Sequence, residues 1–350
     1  MENTEKLQAL PRLILPWYEN CHRDLPWRKD REPYHIWISE IMLQQTRVEA
    51  VKSYYNRFLT VLPTVADLSA CDDETLHKLW EGLGYYSRVR NLKKAAQVIM
   101  RDFSGQFPRT HSEVLSLPGI GPYTAGAVCS IAYDLPAPAV DGNVLRLMSR
   151  LRNDFRPIDL PQVKQDVTDI LKEIYPAEAG AFTQALMELG ATLCGPNRAP
   201  ECGKCPLKEI CSACKAGTAE ELPKKTPKKE RRREDRTVLI LRCSGSYALR
   251  KRPAKGLLAS LWEFPNVQGS LTPQQAMDLA ETWNTHPREL LQQVTRTHIF
   301  THIEWNMLGY YLEVREKSPE LQWFTPEEIK NQAALPTAFR QFFPEQQENS

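Results

Sequence analysis

The sequence has 350 residues and carries 45 Lys and Arg against 43 Asp and Glu, a formal net charge of +2. A chain of this length is expected to form two domains, each able to bury its own core. The nearly balanced charge excludes an argument for nucleic-acid binding from overall charge, so any such argument has to rest on local features.

The N-terminal segment MENTEKLQALPRL lacks the basic region, apolar run and cleavage site of a signal peptide, and no uncharged apolar stretch has membrane-spanning length. We therefore expect a cytoplasmic protein without a membrane partner. From Leu7 to about Ala191 apolar residues recur at helical spacing, as in TRVEAVKSYYNRFLTVL and DETLHKLWEGL, and no strand alternation interrupts them. An all-α domain is predicted over residues 1–214.

The stretch SEIMLQQTRVE puts polar residues into an otherwise apolar helix. Helical spacing places Glu40 off the apolar face. Thr46 and Glu49 match a capping box, which predicts that one helix ends near Gln45 and that the next begins after Thr46. On these residues alone, a solvated helix joint with an exposed Glu40 is the favoured interpretation.

The segment LPGIGPYTAGAVCSIAY predicts a helix-hairpin-helix motif. Gly119 and Gly121 permit a tight turn, and the helix expected from about Tyr123 presents its N-terminal N–H groups to an anion such as a DNA phosphate. A lone Gly-x-Gly is often only a turn, whereas the whole string is a more specific signal.

Asp141 precedes an amphipathic helix in PAVDGNVLRLMSRL, where its plain role is that of an N-cap. Asp141 could also act together with Glu40 as a pair of catalytic carboxyl groups. Two carboxyl groups around one reacting carbon can supply an acid for a leaving group and an anion for an oxocarbenium-like cation.

Five of the nine cysteines fall between Cys194 and Cys214, which favours a metal over disulfides in a reducing compartment. The spacing C-x7-C-x2-C-x5-C suits a 4Fe-4S cluster or a tetrahedral zinc, with disulfides as the third choice. Its members are Cys194, Cys202, Cys205 and Cys211, and Cys214 follows them.

Residues 215–236 are poor in apolar side chains and dense in Lys and Arg, which predicts a linker. Beyond it, TVLILRC, SYALRKR, WEFP and HIEWNMLGYYLEV read as strands, and PQQAMDLAETW and TPEEIKNQ read as helices. A mixed α/β domain is therefore predicted over residues 237–350.

Taken together, these strings resemble the adenine DNA glycosylases of the MutY family, within the helix-hairpin-helix glycosylase superfamily. LPWR, WISEIMLQQT, GLGYYSRVRNL, LPGIGPYTAGAV, VDGNV, ALMELGA and the cysteine loop occur in order. GLLASLWEFP and IFTHIEW resemble the family's C-terminal Nudix-like domain, and no Nudix magnesium-binding sequence is present. The resemblance implies an all-α glycosylase domain with an iron-sulfur loop, followed by an α/β domain.

The resemblance also implies roles for individual residues. Glu40 would protonate the adenine, and Asp141 would stabilise the sugar cation or bond to it, with Tyr123 and Asn143 positioning Asp141. The residues implied around the flipped adenine are Trp27, Arg28, Leu43 and Glu188, and those implied as wedges in the base stack are Gln45 and Tyr85. Thr301 and His302 would lie in the loop that reads 8-oxoguanine, and Gly119 and Gly121 would lie at a phosphate. The implied ligands of a 4Fe-4S cluster are Cys194, Cys202, Cys205 and Cys211.

On this resemblance the chain is a monomer that excises adenine opposite 8-oxoguanine or guanine in double-stranded DNA. Related glycosylase-lyases carry a Schiff-base lysine where this chain has Tyr123, which predicts a monofunctional enzyme. Three features depart from the family pattern: the first cysteine interval is one residue longer, Thr301 replaces a Ser, and Ser260 replaces a Gly. Two alternatives stay open, a glycosylase-lyase for oxidised pyrimidines and a damage-binding protein without catalysis.

Overall fold

The computed structural model describes residues 6–196, 198–227 and 230–343. These residues form two compact units. Of these residues, the helical unit contains 6–70, 90–196 and 198–227, and the sheet unit contains Cys71–Val89 together with 230–343. A helical domain followed by an α/β domain is thus confirmed, and the assignment of Cys71–Val89 to the sheet unit is a feature that the predicted boundaries at 214 and 237 do not include.

Helices dominate the chain up to the cysteine loop, as predicted. They are α1 Leu10–Cys21, α2 Pro33–Leu43, α3 Val48–Val61, α4 Val65–Ala70, α5 Asp73–Leu79, α6 Ser87–Asp102, α7 His111–Ser116, α8 Pro122–Tyr133, α9 Gly142–Arg152, α10 Pro161–Ile174 and α11 Ala179–Ala191. Helix α5 and the first residues of α6 belong to the sheet unit. Among the described residues, no helix is both long and apolar enough to span a membrane.

One core of the helical unit lies between α1, α9, α10 and α11. Leu10 and Ile14 of α1 are four residues apart and fully buried, and they share this core with Leu147, Leu171 and Phe182. The i, i+4 spacing puts the apolar residues of each helix on one face, so burial of that face brings the helices together.

The corner between α2 and α3 differs from the prediction. Helix α2 ends at Leu43, and α3 begins at Val48 with Arg47 as its N-cap and without a side-chain cap, so the capping box predicted at Thr46 is wrong. The physical reason lies in the backbone: Gln45 adopts a positive φ of 59°, and the first carbonyl to accept a helical hydrogen bond is that of Arg47, from the Val51 N–H at 3.2 Å.

The predicted hairpin is formed by α7 and α8. Thr110 and Glu113 make a capping box at the start of α7, and Gly121 is the N-cap of α8. Gly119, in the turn, has a φ of +78°, and a Cβ there would lie 2.5 Å from the Asn91 Cβ. A glycine is required at this position, because a side chain would meet both backbone strain and a steric clash.

The first part of the predicted linker is packed onto the helical unit. After the short helix α12 (Ser212–Ala216), the Leu222 carbonyl accepts a hydrogen bond from Arg150 Nε at 3.1 Å, and the Lys224 carbonyl accepts one from the Ile158 N–H at 3.0 Å. These backbone contacts fix a segment that composition alone describes as a solvated spacer. Residues 228 and 229 of the predicted linker fall outside the described part of the chain.

The sheet unit is built on a mixed sheet in which β1 and β6 are parallel neighbours, in register from Arg232 opposite Ile303 to Arg242 opposite Glu313. The strand order is β3-β2-β1-β6-β5, with β4 also pairing with β1 and β7 with β2. The strands are β1 Arg232–Cys243, β2 Ser246–Lys251, β3 Trp262–Glu263, β4 Asn266–Gln268, β5 Pro287–Ile299, β6 Ile303–Val314 and β7 Gln322–Phe324, and the helices are α13 Pro273–Glu281, α14 Pro326–Asn331 and α15 Thr337–Arg340.

Strand β1 has apolar cores on both faces, which explains its continuous apolar run. Val238 and Ile240 pack into the core shared with α14 and α15, whereas Leu239 and Leu241 pack into the core shared with α13. The strand begins at Arg232, five residues before the predicted domain start at residue 237. Sequence patterning missed β5, because most of its side chains are at least partly exposed and show no apolar alternation.

We expect Gly119→Ala to lower the free energy of unfolding by about 2 kcal/mol, because alanine is disfavoured at a positive φ and its Cβ would clash with Asn91. Gly121→Ala is the matched control, since a Cβ at Gly121 meets no atom within 4 Å. Urea denaturation of both variants measures the difference. An equal loss of unfolding free energy in the two variants would contradict the requirement for glycine at position 119.

Candidate active site

A cavity of about 510 Å³ opens in the helical unit. It brings together side chains from the start of the chain, from α2, from the hairpin helix α8, from the start of α9 and from α11. The predicted site residues that line it are Trp27, Arg28, Glu40, Leu43, Gln45, Tyr123, Asp141, Asn143 and Glu188. The paired carboxyl groups proposed from sequence therefore face one cavity.

Glu40 is buried, with 5% of its surface exposed. The interpretation of an exposed Glu40 at a solvated joint is therefore wrong. The physical reason is that α2 packs against both α3 and α8, so that the side of α2 opposite its apolar face is also covered. The Tyr123 hydroxyl donates a hydrogen bond to Glu40 Oε2.

The environment of Glu40 favours the protonated acid. Burial is the largest cause and raises the pKa of Glu40 from 4.5 to about 7; the hydrogen bond from Tyr123 opposes the rise, and the nearby charge of Asp141 adds to it. Burial and the same two carboxyl groups raise the pKa of Tyr123 well above 10, so its hydroxyl stays a donor. Tyr123 thus contacts Glu40, whereas the family resemblance implied a role beside Asp141.

Asp141 is the N-cap of α9, as its plain interpretation predicted. Its Oδ1 accepts the N–H groups of Asn143 at 2.9 Å and Val144 at 2.7 Å, and its Oδ2 accepts Asn143 Nδ2 at 2.7 Å. Burial raises the pKa of Asp141, and these hydrogen bonds together with Arg146 oppose the rise. Three N–H donors and the positive end of the helix dipole therefore counteract burial in favour of the anion, but the pKa of Asp141 stays above its ordinary value.

Arg146, which sequence reasoning missed, links this cap to the cysteine loop. Its Nη2 donates to Asn143 Oδ1 at 2.7 Å, and its Nε donates to the Cys194 carbonyl at 2.9 Å. Gly190 of α11 permits the close approach, because a Cβ there would lie 2.8 Å from the Asn143 carbonyl oxygen. The available signal was a charged residue at a buried position of the amphipathic helix α9.

Glu188 is almost fully buried and pairs with two arginines. Arg23 Nε lies 2.7 Å from Oε1, and Arg28 Nη2 lies 2.8 Å from Oε2. Burial raises the pKa of Glu188, but the hydrogen bonds and charges of Arg23 and Arg28 outweigh it and lower the pKa overall. Glu188 is therefore an anion that holds Arg28 at the cavity wall, and Arg23 is a second residue that sequence reasoning missed.

The corner after α2 forms part of the cavity rim. Gln45 is exposed, and its positive φ of 59° turns the chain back toward α3. Gln44 is half-buried, and its Nε2 donates to Thr124 Oγ1 at 3.3 Å. Leu43, the last residue of α2, is also half-buried, so the rim presents both apolar and amide side chains.

A second pocket is lined by all five clustered cysteines: Cys194, Cys202, Cys205, Cys211 and Cys214. Arg150 Nη1 donates to Cys194 Sγ at 3.2 Å and to the Cys194 carbonyl at 3.0 Å. In the described part of the chain, no group of three or more His, Cys, Asp or Glu is arranged to hold a single metal ion. Five cysteines around one pocket, with Glu201 as the one carboxylate residue in its described lining, fit a thiolate-ligated cofactor.

The other predicted DNA-contacting residues lie in the sheet unit. Tyr85 is 46% exposed and has a positive φ of 47°. Its hydroxyl lies 3.2 Å from Thr301 Oγ1, and Thr301 and His302 are exposed in the turn between β5 and β6. The preceding Phe300 packs between His298 and Trp305, with ring centroids 4.5 and 4.8 Å away, which fixes the base of the turn.

The raised pKa of Glu40 predicts a pH-dependent stability. Between about 4.5 and 7 the native protein binds more protons at Glu40 than the unfolded chain does, so the free energy of unfolding falls as pH rises through this window. Glu40→Gln removes that titration. Between pH 4 and pH 8, the free energy of unfolding of the wild type should therefore fall by about 3 kcal/mol relative to that of the variant.

Urea denaturation across this pH range measures the difference. The value at pH 4 is the internal baseline, because Glu40 is then largely neutral in both states of the wild type. If the free energies of unfolding of wild type and variant changed in parallel with pH, a strongly raised pKa at Glu40 would be ruled out.

Both halves of the chain match known families. The family described as HhH-GPD superfamily base excision DNA repair protein matches residues 38–173, and the NUDIX domain family matches residues 236–345. In solved structures, the chain is similar to a thermostable thymine-DNA glycosylase, with 29% identity and a TM-score of 0.56 over 61% of this chain and 98% of that one. A trapped endonuclease III-DNA covalent intermediate gives 26% identity and a TM-score of 0.52 over 61% and 98%.

Among curated proteins, the adenine DNA glycosylase of Rattus norvegicus is 34% identical over 403 aligned positions, which cover 96% of this chain and 77% of that protein. The resemblance inferred from the sequence motifs is thereby confirmed. The chain belongs to the adenine DNA glycosylase family, in which an HhH-GPD glycosylase domain is followed by a Nudix-like domain.

Proposed function

We propose that this glycosylase acts as a monomer on double-stranded DNA, removing adenine that is mispaired with 8-oxoguanine or guanine and leaving the strand uncleaved. The observation that carries the proposal is the pair of carboxyl groups at one cavity. Glu40 is buried with a pKa of about 7, and Asp141 accepts three N–H hydrogen bonds. Such a pair supplies an acid and an anion to the same reacting centre.

Adenine has to leave the duplex before it can reach a cavity of this kind. Inside the cavity, Tyr123 donates to Glu40 Oε2, which leaves Oε1 to carry the proton that the purine accepts at N7. Protonation makes adenine a better leaving group and spreads positive charge over the sugar as the N-glycosidic bond breaks. The Asp141 carboxylate, held by the cap of α9, stabilises that cation until water adds at the anomeric carbon and gives its proton to the Glu40 carboxylate, which restores the acid.

Absence of strand cleavage is supported by the groups around the reacting carbon. A lyase reaction needs an amine that forms a Schiff base with the sugar. Tyr123 offers a phenol, and no lysine is among the described residues that line the cavity. An enzyme with this lining releases a free base and an abasic site.

Recognition of the opposite base is assigned to the sheet unit. The Thr301 hydroxyl can both donate to and accept from an oxidised guanine, and His302 is exposed beside it. Tyr85 and Gln45 are exposed polar or aromatic side chains of the kind that fill the space left by an extruded base. The N–H groups at the start of α8, after Gly119 and Gly121, are suited to a backbone phosphate.

The cysteine pocket is assigned to a 4Fe-4S cluster. Cys194, Cys202, Cys205 and Cys211 would hold it, with Cys214 as the additional thiol in the pocket. When bound, such a cluster crosslinks its four thiolates and so fixes the loop that carries them. The loop in turn orders the site, because the Cys194 carbonyl accepts from Arg146 and Arg150.

We expect Glu40→Gln to lower the single-turnover rate of adenine release at least about a hundredfold, because the amide cannot act as an acid, while DNA binding persists. The wild-type rate should fall as pH rises through about 7, following deprotonation of Glu40. Assays on an adenine:8-oxoguanine duplex, with binding measured in parallel, test both. A wild-type rate in the variant would refute the acid assignment, and efficient borohydride trapping would favour the glycosylase-lyase alternative.

Cofactor content gives a further test. Replacement of Cys202 or Cys205 by Ser should remove iron and the broad visible absorbance of the purified protein, because each supplies one thiolate ligand. Cys214→Ser is the matched control in the same pocket and should retain both signals. Iron analysis and absorbance spectra of the purified variants measure cluster content. A colourless wild-type protein with stoichiometric zinc would exclude the cluster.

A further inference from the structure

The segment Cys71–Val89 falls inside the sequence range that matches the HhH-GPD family, residues 38–173, yet it packs with the Nudix-like domain as part of the sheet unit. It contains α5 and ends just after Tyr85. The contacts that hold this segment therefore decide where Tyr85 lies relative to the β5–β6 turn.

One set of these contacts is made by Lys78 and Glu81. Lys78 Nζ lies 2.6 Å from Glu81 Oε2, and Glu81 has 9% of its surface exposed. Glu81 Oε1 accepts the N–H of Leu335 at 3.0 Å. Lys78 Nζ donates to the carbonyls of Ile329 and Ala333, each at 3.3 Å.

These contacts give a defined position as well as attraction. One carboxylate and one ammonium group meet a backbone N–H and two carbonyls within a seven-residue stretch after the start of α14, so three directional hydrogen bonds orient the end of α5 and the residues that follow it. Loss of the carboxylate would leave the Leu335 N–H without this acceptor and Lys78 without its counter-charge, which is costly at a buried site. The pair of Glu74 with Lys251, by contrast, is about half exposed and contributes little.

The path from Glu81 to Tyr85 has three intervening residues, and Trp80 and Arg88 hold its backbone by donating hydrogen bonds to the carbonyls of Leu83 and Gly84. Gly82 and Gly84 have φ values of 98° and 68°, and Trp80 Nε1 donates to the Gly84 carbonyl at 3.0 Å. Tyr85 follows with its hydroxyl 3.2 Å from Thr301 Oγ1. A shift of Glu81 is therefore passed to the contact between Tyr85 and Thr301.

We propose that Glu81 and Lys78 are positioning residues for recognition of the base opposite adenine. By fixing Cys71–Val89 on the Nudix-like domain they keep Tyr85 and Thr301 acting as one surface, and they thereby set the preference for 8-oxoguanine over guanine. Both act through contacts with protein backbone. The inference rests on the proposed function, because it assigns a determinant of specificity to that activity.

The experiment compares single-turnover rates on adenine:8-oxoguanine and adenine:guanine duplexes for full-length variants. Glu81→Leu should lower the ratio of the two rates about tenfold, since a lost charged hydrogen bond at a buried site is a loss of this order. Glu81→Gln should stay within about threefold of wild type, because its amide oxygen still accepts the Leu335 N–H. Rescue by this conservative variant is a result that general destabilisation would not give.

Glu263→Leu is the matched control, since Glu263 is a buried acid of the same unit that binds Arg250 at 2.8 Å and Asn266 at 2.7 Å. It should lower the melting temperature without changing the rate ratio. If Glu81→Leu does not fold, Lys78→Met serves instead, because Glu81 keeps its bond to Leu335, and the ratio should fall about threefold.

An unchanged ratio in folded Glu81→Leu, or in Lys78→Met where Glu81→Leu does not fold, or an equal fall in Glu263→Leu, would overturn this inference while leaving the proposed function standing. A wild-type protein inactive on both duplexes would overturn the proposed function, and the inference with it. A wild type that prefers 8-oxoguanine and a Glu81→Leu variant that has lost the preference would support both.

Discussion

The burial of Glu40 beneath the Tyr123 hydroxyl is the constraint on which the rest of the site depends. A carboxyl group withdrawn from water is stable there only when it is neutral or well partnered. Tyr123 provides one hydrogen bond to Oε2 of this carboxyl group, which lines the cavity. The surrounding helices α2, α3 and α8 exclude water from the acid, so packing of the helical unit creates the chemical property that a base-releasing enzyme needs.

Asp141 is the second carboxyl group of the cavity, and unlike Glu40 it is surrounded by several N–H donors. As the N-cap of α9 it contributes to helix stability, and the same three N–H donors stabilise its negative charge. Arg146 extends this arrangement by connecting Asn143 to the Cys194 carbonyl. Hydrogen bonds therefore connect the start of α9 to the cysteine loop. The small Gly190 allows α11 to approach Asn143 closely at this place.

In the sheet unit, the side chains proposed to recognise the opposite base come from segments far apart in the chain. Tyr85 comes from Cys71–Val89, and Thr301 comes from the β5–β6 turn. Burial of alternating faces of β1 gives the domain its rigid sheet. Aromatic packing of Phe300 against Trp305 then holds the turn in place, while the pair of Lys78 and Glu81 holds the other segment. The exposed side chains of this proposed recognition surface are thus held in place by contacts that lie behind them.

Much of this protein was predictable from its sequence, because helices, caps and strands have local signatures. Helical spacing predicted α3, α5 and α9, the cap at Asp141 follows from residue type, and the glycines marked the hairpin. The burial of Glu40, the contact of Tyr123 with Glu40 and the roles of Arg23, Arg146 and Glu81 were decided by the tertiary structure alone. Each of these involves at least one partner 44 or more residues away, and residue pattern along one element carries no information about such distant partners.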